Sequence, residues 1–239
     1  MKAGLLEKIK SRGYWRINFQ PNTFGSQKIT LAECKNAVES NAVLLRGWDY
    51  PHVSKKNNDH GTQLPAGEFQ ESWVDWWNHI EFWRMYRSKQ FLHYMALRED
   101  WFEKSEWASD YAKQIEPGTA LGVIGTIYQV TEIFEFLSRL VRNGFYKDLI
   151  SVDISIENTS GRGLWVDSPA RMPFLSPRET GADSIKLHRD AEADELKIKS
   201  SDLALTVILE IFDQFGWSNP PVSNIKLDQQ NLLAGRPGH

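Results

Sequence analysis

The sequence predicts an α+β fold in which mixed or antiparallel sheet layers are packed by two long amphipathic helices. Three observations predict it. Strand-like segments come in runs with hairpin spacing. Two segments, 119–143 and 200–215, carry long helical apolar stripes, each flanked by such runs. No regular β-α-β alternation and no internal repeat is present. The predicted organisation is one α+β domain over residues 1–217 and a poorly ordered tail over 218–239.

Each element has its own signal. Residues 3–11 place Leu5, Leu6 and Ile9 on one face of a short helix that Gly13 stops. Tyr14 to Phe19 is aromatic and alternates, as a strand does. Pro21, Asn22 and Gly25 mark a loop. Thr30, with Glu33 three residues on, forms a capping-box pattern. The helix it opens runs to about Ser40 and buries Leu31, Cys34 and Val38. Val43 to Trp48 is the second strand, and residues 54–68, polar and without apolar period, read as a surface loop. Ser72–Tyr86 and Gln90–Leu97 read as strands joined by Arg87-Ser88-Lys89. A helix over 73–98 stays open as the alternative, because Val74, Trp77, Ile80 and Phe82 fit part of a helical stripe.

Glu99 to Gln114 is partly helical, ending at Pro117-Gly118. Thr119 to Asn143 is the clearest helix: Val123, Ile127, Val130, Phe134, Leu137 and Val141 recur on one side, with Glu132, Glu135, Arg139 and Arg142 facing away. Gly144 sits where a C-terminal cap is expected, while Gly122 and Gly125 weaken the first turns. Ile150 to Ile156 alternates as a half-buried strand. Asn158 to Gly163 is a turn, its Ser160-Gly161-Arg162-Gly163 a hairpin tip, leading into Leu164-Trp165-Val166. Pro169, Pro173 and Pro177 make an irregular crossing. Ile185–His188 and Leu196–Ile198 read as short strands. Ser200 or Ser201 then caps a helix with the stripe Leu203, Ala204, Val207, Ile208, Ile211, Phe212 and Phe215, which Gly216 ends.

Composition narrows the function classes. A chain of 239 residues, 41% hydrophobic and 25% charged, can bury a core without disulfides or metals. Cys34 is the only cysteine, which excludes an intramolecular disulfide and fits a reducing, cytoplasmic compartment. The net charge of −3 creates no general field for nucleic acid. No secretory-type apolar core opens the sequence and no run of 18 uncharged apolar residues occurs, so no membrane partner is expected. Seven of the ten Trp fall between Trp48 and Trp107, which makes either a heavy core layer or a recognition surface.

The most site-like segment is Arg46-Gly-Trp-Asp-Tyr-Pro-His52, which packs a cation, a carboxylate, two aromatics and an imidazole into seven residues. Asp49 and His52 have the makings of a general base with its orienting carboxylate. The plainer reading has Asp49 capping the backbone, Arg46 pairing with an acid, and Trp48 and Tyr50 in the core. His79 and Glu81 point to one face of a strand. With Asp49 and His52 they match no zinc spacing, so no metal is predicted. Arg46, Lys55, Lys56, Arg84, Arg87 and Lys89 beside Trp48, Trp83 and Tyr86 suit single-stranded nucleic acid. The nearby Glu68, Glu71, Asp75, Glu81, Glu99, Asp100, Glu103 and Glu106 oppose that field. No phosphate loop, dinucleotide fingerprint or nucleophile elbow is present, so no cofactor is indicated. Gly122-Val-Ile-Gly125 at a helix start offers a weak anion site, though close helix packing accounts better for the glycines.

Taken together, Gly13-Tyr-Trp-Arg16, Leu45-Arg-Gly-Trp-Asp-Tyr-Pro-His52, Phe82-Trp-Arg-Met-Tyr-Arg-Ser-Lys-Gln-Phe-Leu-His-Tyr94, Glu99-Asp-Trp101, Ile133-Phe-Glu-Phe-Leu-Ser-Arg-Leu140 and Phe215-Gly-Trp217 resemble a family of uncharacterised prokaryotic proteins. Similar segments occur near or fused to Schlafen-type domains, a class assigned to nucleic-acid binding. The resemblance implies a prokaryotic, cytoplasmic setting beside a nucleic-acid or defence partner, and no catalytic residue. The expected function is a non-enzymatic binding or adaptor domain for a protein partner, with nucleic acid as the other candidate partner. Its expected binding residues are Arg46, Trp48, Asp49, Tyr50, His52, Trp83, Arg84 and Tyr86. The alternatives are a hydrolase of nucleotides or phosphodiesters, with Asp49, His52, His79 and Glu81 at work, and a single-stranded nucleic-acid-binding protein.

Overall fold

Period-two alternation over six segments builds the centre of the molecule. The computed structural model describes residues 1–22, 28–54, 60–106 and 108–237. In chain order the elements are α1 (Leu5–Lys10), β1 (Tyr14–Pro21), α2 (Leu31–Glu39), β2 (Val43–Leu44), β3 (Asp49–Tyr50), β4 (Gly61–Ala66), β5 (Phe69–Trp76), β6 (His79–Tyr86) and β7 (Phe91–Ala96). A 3₁₀ helix (Arg98–Lys104), α3 (Asp110–Lys113), β8 (Ala120–Gly122), α4 (Val123–Arg142), β9 (Ile150–Glu157), β10 (Gly163–Trp165), β11 (Ser184–Ala191), α5 (Ala193–Asp213) and α6 (Val222–Leu233) follow. Seven strands form one antiparallel sheet in the order β11-β9-β1-β7-β6-β5-β4. The fold is α+β, with a large antiparallel sheet and two long helices, α4 and α5.

The register sets two faces. Trp15, Ile17 and Phe19 stand beside Met95, His93 and Phe91, and these beside Glu81, Trp83 and Met85. Against this face lies α4, whose Phe136 packs on Phe19, Phe91 and Tyr50. α5 and α6 cover the far side of α4, so α4 is buried on nearly every side. On the opposite face α1 presses Leu5 and Ile9 onto Ile80, Phe82 and Trp101.

Several local signals act as expected. Thr30 and Glu33 complete the capping box of α2. Gly144, at φ 74°, and Gly216, at φ 70°, end α4 and α5 in the left-handed conformation that glycine adopts freely. Other expectations need correction. The Ser72–Tyr86 segment folds back at Trp77-Asn78, giving β5 and β6. Part of the 54–68 loop is β4, an edge strand, where Pro65 costs no ladder bond on its open side. Val43–Trp48 is no single strand: β2 and β3 form a tight hairpin through Gly47 at φ 85°. Leu196–Ile198 belongs to α5, whose kink at Lys199 precedes the stretch that Ser200 or Ser201 was expected to open. The segment expected as a disordered tail from residue 218 contains α6, which buries Ile225 and Leu232 behind Pro221. In α2, Ala37 rather than Leu31 joins Cys34 and Val38 in the core. Gly25, Lys55, Lys56 and Trp107 lie outside the described residues.

Two charged residues read as surface groups are buried. Glu132 on α4 is 1% exposed and paired with Arg46. Arg162 is no hairpin-tip cation. It is 1% exposed and forms a two-pronged pair with Asp100, at 2.8 and 2.5 Å. Asp100 also accepts the N–H groups of Gly13 (2.7 Å) and Gly118 (2.8 Å), and Arg162 donates to the carbonyls of Ala120 (2.9 Å) and Asn158 (2.8 Å). Removing one partner strands the other as an uncompensated buried charge. Arg162→Ala is therefore expected to lower stability by about 3–5 kcal/mol. Breaking the exposed Lys28–Glu68 pair with Lys28→Ala should leave stability nearly unchanged. Urea unfolding of the two variants against the parent chain checks the contrast.

Candidate functional site

Two adjoining hollows make one cleft between the β2–β3 hairpin, the β6 and β7 ends, the 3₁₀ helix and the first turns of α4. The larger has a volume of about 480 Å³. Its polar wall holds Arg46, Asn78, His79, Arg98, Gln129 and Asp167, and Phe102, Tyr128 and Trp165 add aromatic surface.

The segment 46–52 forms one wall as a unit. Arg46 donates to Glu132 at 3.0 and 2.7 Å and to Gln129 at 3.2 Å. Asp49 Oδ1 lies 2.5 Å from His52 Nδ1, and its Oδ2 accepts the Val53 N–H at 3.0 Å. Trp48 stacks on His52 at 4.1 Å and on His79 at 3.8 Å between ring centroids. One indole face has no room for both imidazoles, so they flank it, within about 8 Å of each other. The Trp48 indole N–H donates to Glu81 (3.0 Å), whose other oxygen lies 2.7 Å from His93 Nε2. Trp76 and Trp77 extend the row of rings at the rim.

The structure divides the expected binding set. Arg46, Trp48, Asp49, Tyr50 and His52 stand together, with Tyr50 buried in the core. Much of the plainer reading of this segment holds: Arg46 pairs with an acid, Asp49 binds backbone, Tyr50 is core. Trp83 is fully buried and supports the segment from below by donating to the His52 carbonyl at 2.7 Å. Arg84 and Tyr86 sit on the opposite sheet face, where Arg84 pairs with Glu71 (2.7 Å) and both pack on Phe69. The cations considered for a nucleic-acid track are likewise spread out: Arg87 donates to Ile29 O and Lys89 to Phe145 O. His79 and Glu81 do approach His52, yet Glu81 spends both oxygens on Trp48 and His93, and no metal-holding group of three occurs among the described residues.

Sequence reasoning missed several residues that face the cleft. Arg98 reaches cleft solvent and makes no ion pair or hydrogen bond with any described residue. Asn78, 4% exposed, lines both hollows. Thr126 Oγ1, Gln129 Nε2 and Trp165 Nε1 are buried around the same space with no hydrogen bond to any described residue. These groups come from separate stretches of chain and form no motif. Only Gly122 and Gly125 gave a signal. Their missing Cβ atoms make room for carboxylates, since a Cβ on Gly122 would stand 2.6 Å from Asp167 and 2.8 Å from Glu99. Asp167 accepts the N–H groups of Ile124 (2.6 Å) and Gly125 (2.8 Å), and Glu99 that of Gly122 (2.8 Å). The anion-binding reading of this helix start was the better one, with the chain's own acids as the anions. Burial pushes both carboxyls above their ordinary range, and each raises or is raised by a neighbouring acid or both.

No protein-family model, curated protein or solved structure matches the chain.

The ionisation of the cleft follows from its walls. Burial first, then the charge of Arg98, pushes the His79 imidazole down to about 3, so the ring is neutral near pH 7. Burial alone would raise Glu81, but the hydrogen bond and charge of His93 outweigh it and hold the carboxyl at about 2. Unfolded, these groups titrate near about 6.5 and 4.3. As pH falls below 6.5 the unfolded chain gains a proton that folded His79 refuses, so stability drops. The Glu81 contribution is present above its unfolded value and is lost only as pH falls from there towards 2. Between pH 7 and 5.5 the Glu81 contribution stays in place, and the His79 effect amounts to about 1 kcal/mol. His79→Gln is expected to shrink the stability loss over that interval by this amount, as read from urea midpoints at both pH values. An equal loss in both proteins would show His79 to be freely protonated.

Proposed function

We propose that the chain is a non-enzymatic binding domain that holds a small, acidic, acceptor-rich organic ligand in this cleft. One observation carries the reading: the Arg98 guanidinium, unpaired among the described residues, shares a cavity of about 480 Å³ with the buried Gln129 and Trp165 N–H donors, which lack partners there. Cavities of roughly 300–1,000 Å³ with a few convergent polar groups are the usual form of small-molecule sites. Buried donors without partners carry a desolvation cost that a ligand's acceptors remove. Phe102, Tyr128 and Trp165 receive the ligand's apolar or planar body. The half-buried row Trp77-Trp76-Trp48 beside the mouth suits a protein partner, since tryptophans are common interface anchors. The family resemblance supports a prokaryotic, cytoplasmic adaptor role beside a nucleic-acid-binding or defence protein.

Thermal unfolding with a panel of nucleotides, sugar phosphates and aromatic carboxylates tests the reading. A ligand at a hundred times its Kd adds about 2.7 kcal/mol, roughly 5–10 °C for a chain of this size. Arg98→Ala should remove that shift and leave the unliganded midpoint nearly unchanged. The absence of any shift, or a shift indifferent to Arg98→Ala, would defeat the proposal.

A second reading, hydrolysis of a nucleotide or phosphodiester, draws support from the Asp49–His52 pair, whose geometry is that of an oriented base. Release of nitrophenol from bis(4-nitrophenyl) phosphate, abolished by His52→Ala, is the outcome it requires.

A further inference from the structure

We propose that the start of α4 and Arg98 form a subsite for a phosphate monoester, and that Asp167 is its built-in occupant, displaced when the ligand binds. The inference rests on the cleft being a ligand site, as proposed above, and says which part of the ligand goes where.

Four observations carry it. First, the helix start is already used as an anion site: Ile124 and Gly125 donate their N–H groups to Asp167 at 2.6 and 2.8 Å. Second, the backbone is bared for that contact. A Cβ on Gly125 would stand 3.2 Å from Asp167 Oδ2, and one on Gly122 only 2.6 Å away. Third, the carboxylate leaves donors unused. Among the described residues Arg98 is unpaired, and Thr126 Oγ1 and Gln129 Nε2, on residues 1% and 7% exposed, have no partner although both residues line the same cavity. A planar carboxylate with two oxygens engages two N–H groups, whereas a tetrahedral phosphate offers three terminal oxygens to backbone, hydroxyl and guanidinium at once. Fourth, no regular element holds the occupant. Asp167 stands at the head of the irregular segment 166–183, between β10 and β11, with Met172 and Leu175 exposed.

The charges of the cleft are consistent with an incoming dianion. Glu132 is neutralised by Arg46 and Glu81 is held by Trp48 and His93. Two carboxylates, Asp167 and Glu99, crowd one helix end, and burial disfavours their charged forms there. Exchanging Asp167 for phosphate keeps the macrodipole compensated and adds the guanidinium contact.

Calorimetric titration of the full chain with phenyl phosphate, and with phenol as the uncharged control, is the test. Asp167→Asn removes the competing charge while keeping one acceptor for the helix N–H groups, and should bind phenyl phosphate about tenfold tighter than the parent chain, equivalent to about 1.4 kcal/mol. Adding Arg98→Ala to Asp167→Asn should cancel the gain, and phenol should bind all three proteins alike. Should Asp167→Asn fail to fold, Asp167→Ser, which keeps a capping side chain, takes its place. In the parent chain, phenyl phosphate should speed amide exchange in 168–183 and leave Ile124 and Gly125 protected. Unchanged or weaker binding by the neutral variants, or a gain that survives loss of Arg98, overturns the inference. If the parent chain still binds some ligand through Arg98, the cleft reading stands without it. If no protein binds any member of the panel, both fall.

Discussion

The buried pair between Asp100 and Arg162 is the constraint on which the rest of the molecule depends. Its four hydrogen-bonded neighbours, Gly13, Gly118, Ala120 and Asn158, belong to the start of β1, the approach to β8, β8 itself and the end of β9. They come from three stretches far apart in sequence, around residues 13, 118–120 and 158, which the pair ties together. Ion pairs in the interior repay their desolvation only when every lone pair and N–H is matched. Here both carboxylate oxygens accept two bonds each, and the guanidinium donates to two carbonyls besides. The 3₁₀ helix that carries Asp100 also carries Arg98 and Glu99, so fixing Asp100 fixes the two side chains that meet the cleft and the α4 start.

α4 translates that anchoring into chemistry. Most of its buried side chains are apolar, but Thr126, Gln129 and Glu132 recur every three residues and lie together on the side facing the hairpin and the cleft. Glu132 takes Arg46 from the hairpin, Gln129 helps hold it, and Thr126 lies one turn into the helix. The neutral His79 imidazole and the ionised Glu81 then share one small space because the first lies between burial and Arg98 while the second is hydrogen-bonded by His93 and Trp48. Both groups are thus held deprotonated, one neutral and one charged, two residues apart on one strand.

How much of this was legible depends on whether the signal was local. Alternation in Ile150–Ile156, the Thr30/Glu33 box and the glycines after α4 and α5 are local, and they place their elements correctly. The Trp77-Asn78 turn carries no glycine, and a positive φ of 51° at a tryptophan is a conformation no propensity suggests. β4 looks like a loop because only an edge strand tolerates Pro65, and edge position is a property of the whole sheet. Glu132 and Arg162 were assigned to solvent for the same reason: a charge is placed outside unless its partner is known, and Arg46 and Asp100 lie 86 and 62 residues away. The Arg46–His52 segment stood out because its residues are contiguous. Arg98, Asn78, Gln129 and Asp167 did not, because only the fold assembles them.

That contrast bears on which residues hold function. A contiguous cluster such as 46–52 is conspicuous in sequence, and here it turns out to be largely self-satisfied: each of its charged groups has a partner inside the chain. The scattered groups are the ones left unsatisfied. An unmatched buried donor costs on the order of 1–3 kcal/mol, a large fraction of the net stability of an ordinary domain. An apolar side chain of similar volume in place of the Trp165 indole would avoid that cost. Among the described residues, Thr126, Gln129 and Trp165 each leave a buried polar atom unmatched around one hollow, and those atoms are what the proposed ligand would satisfy.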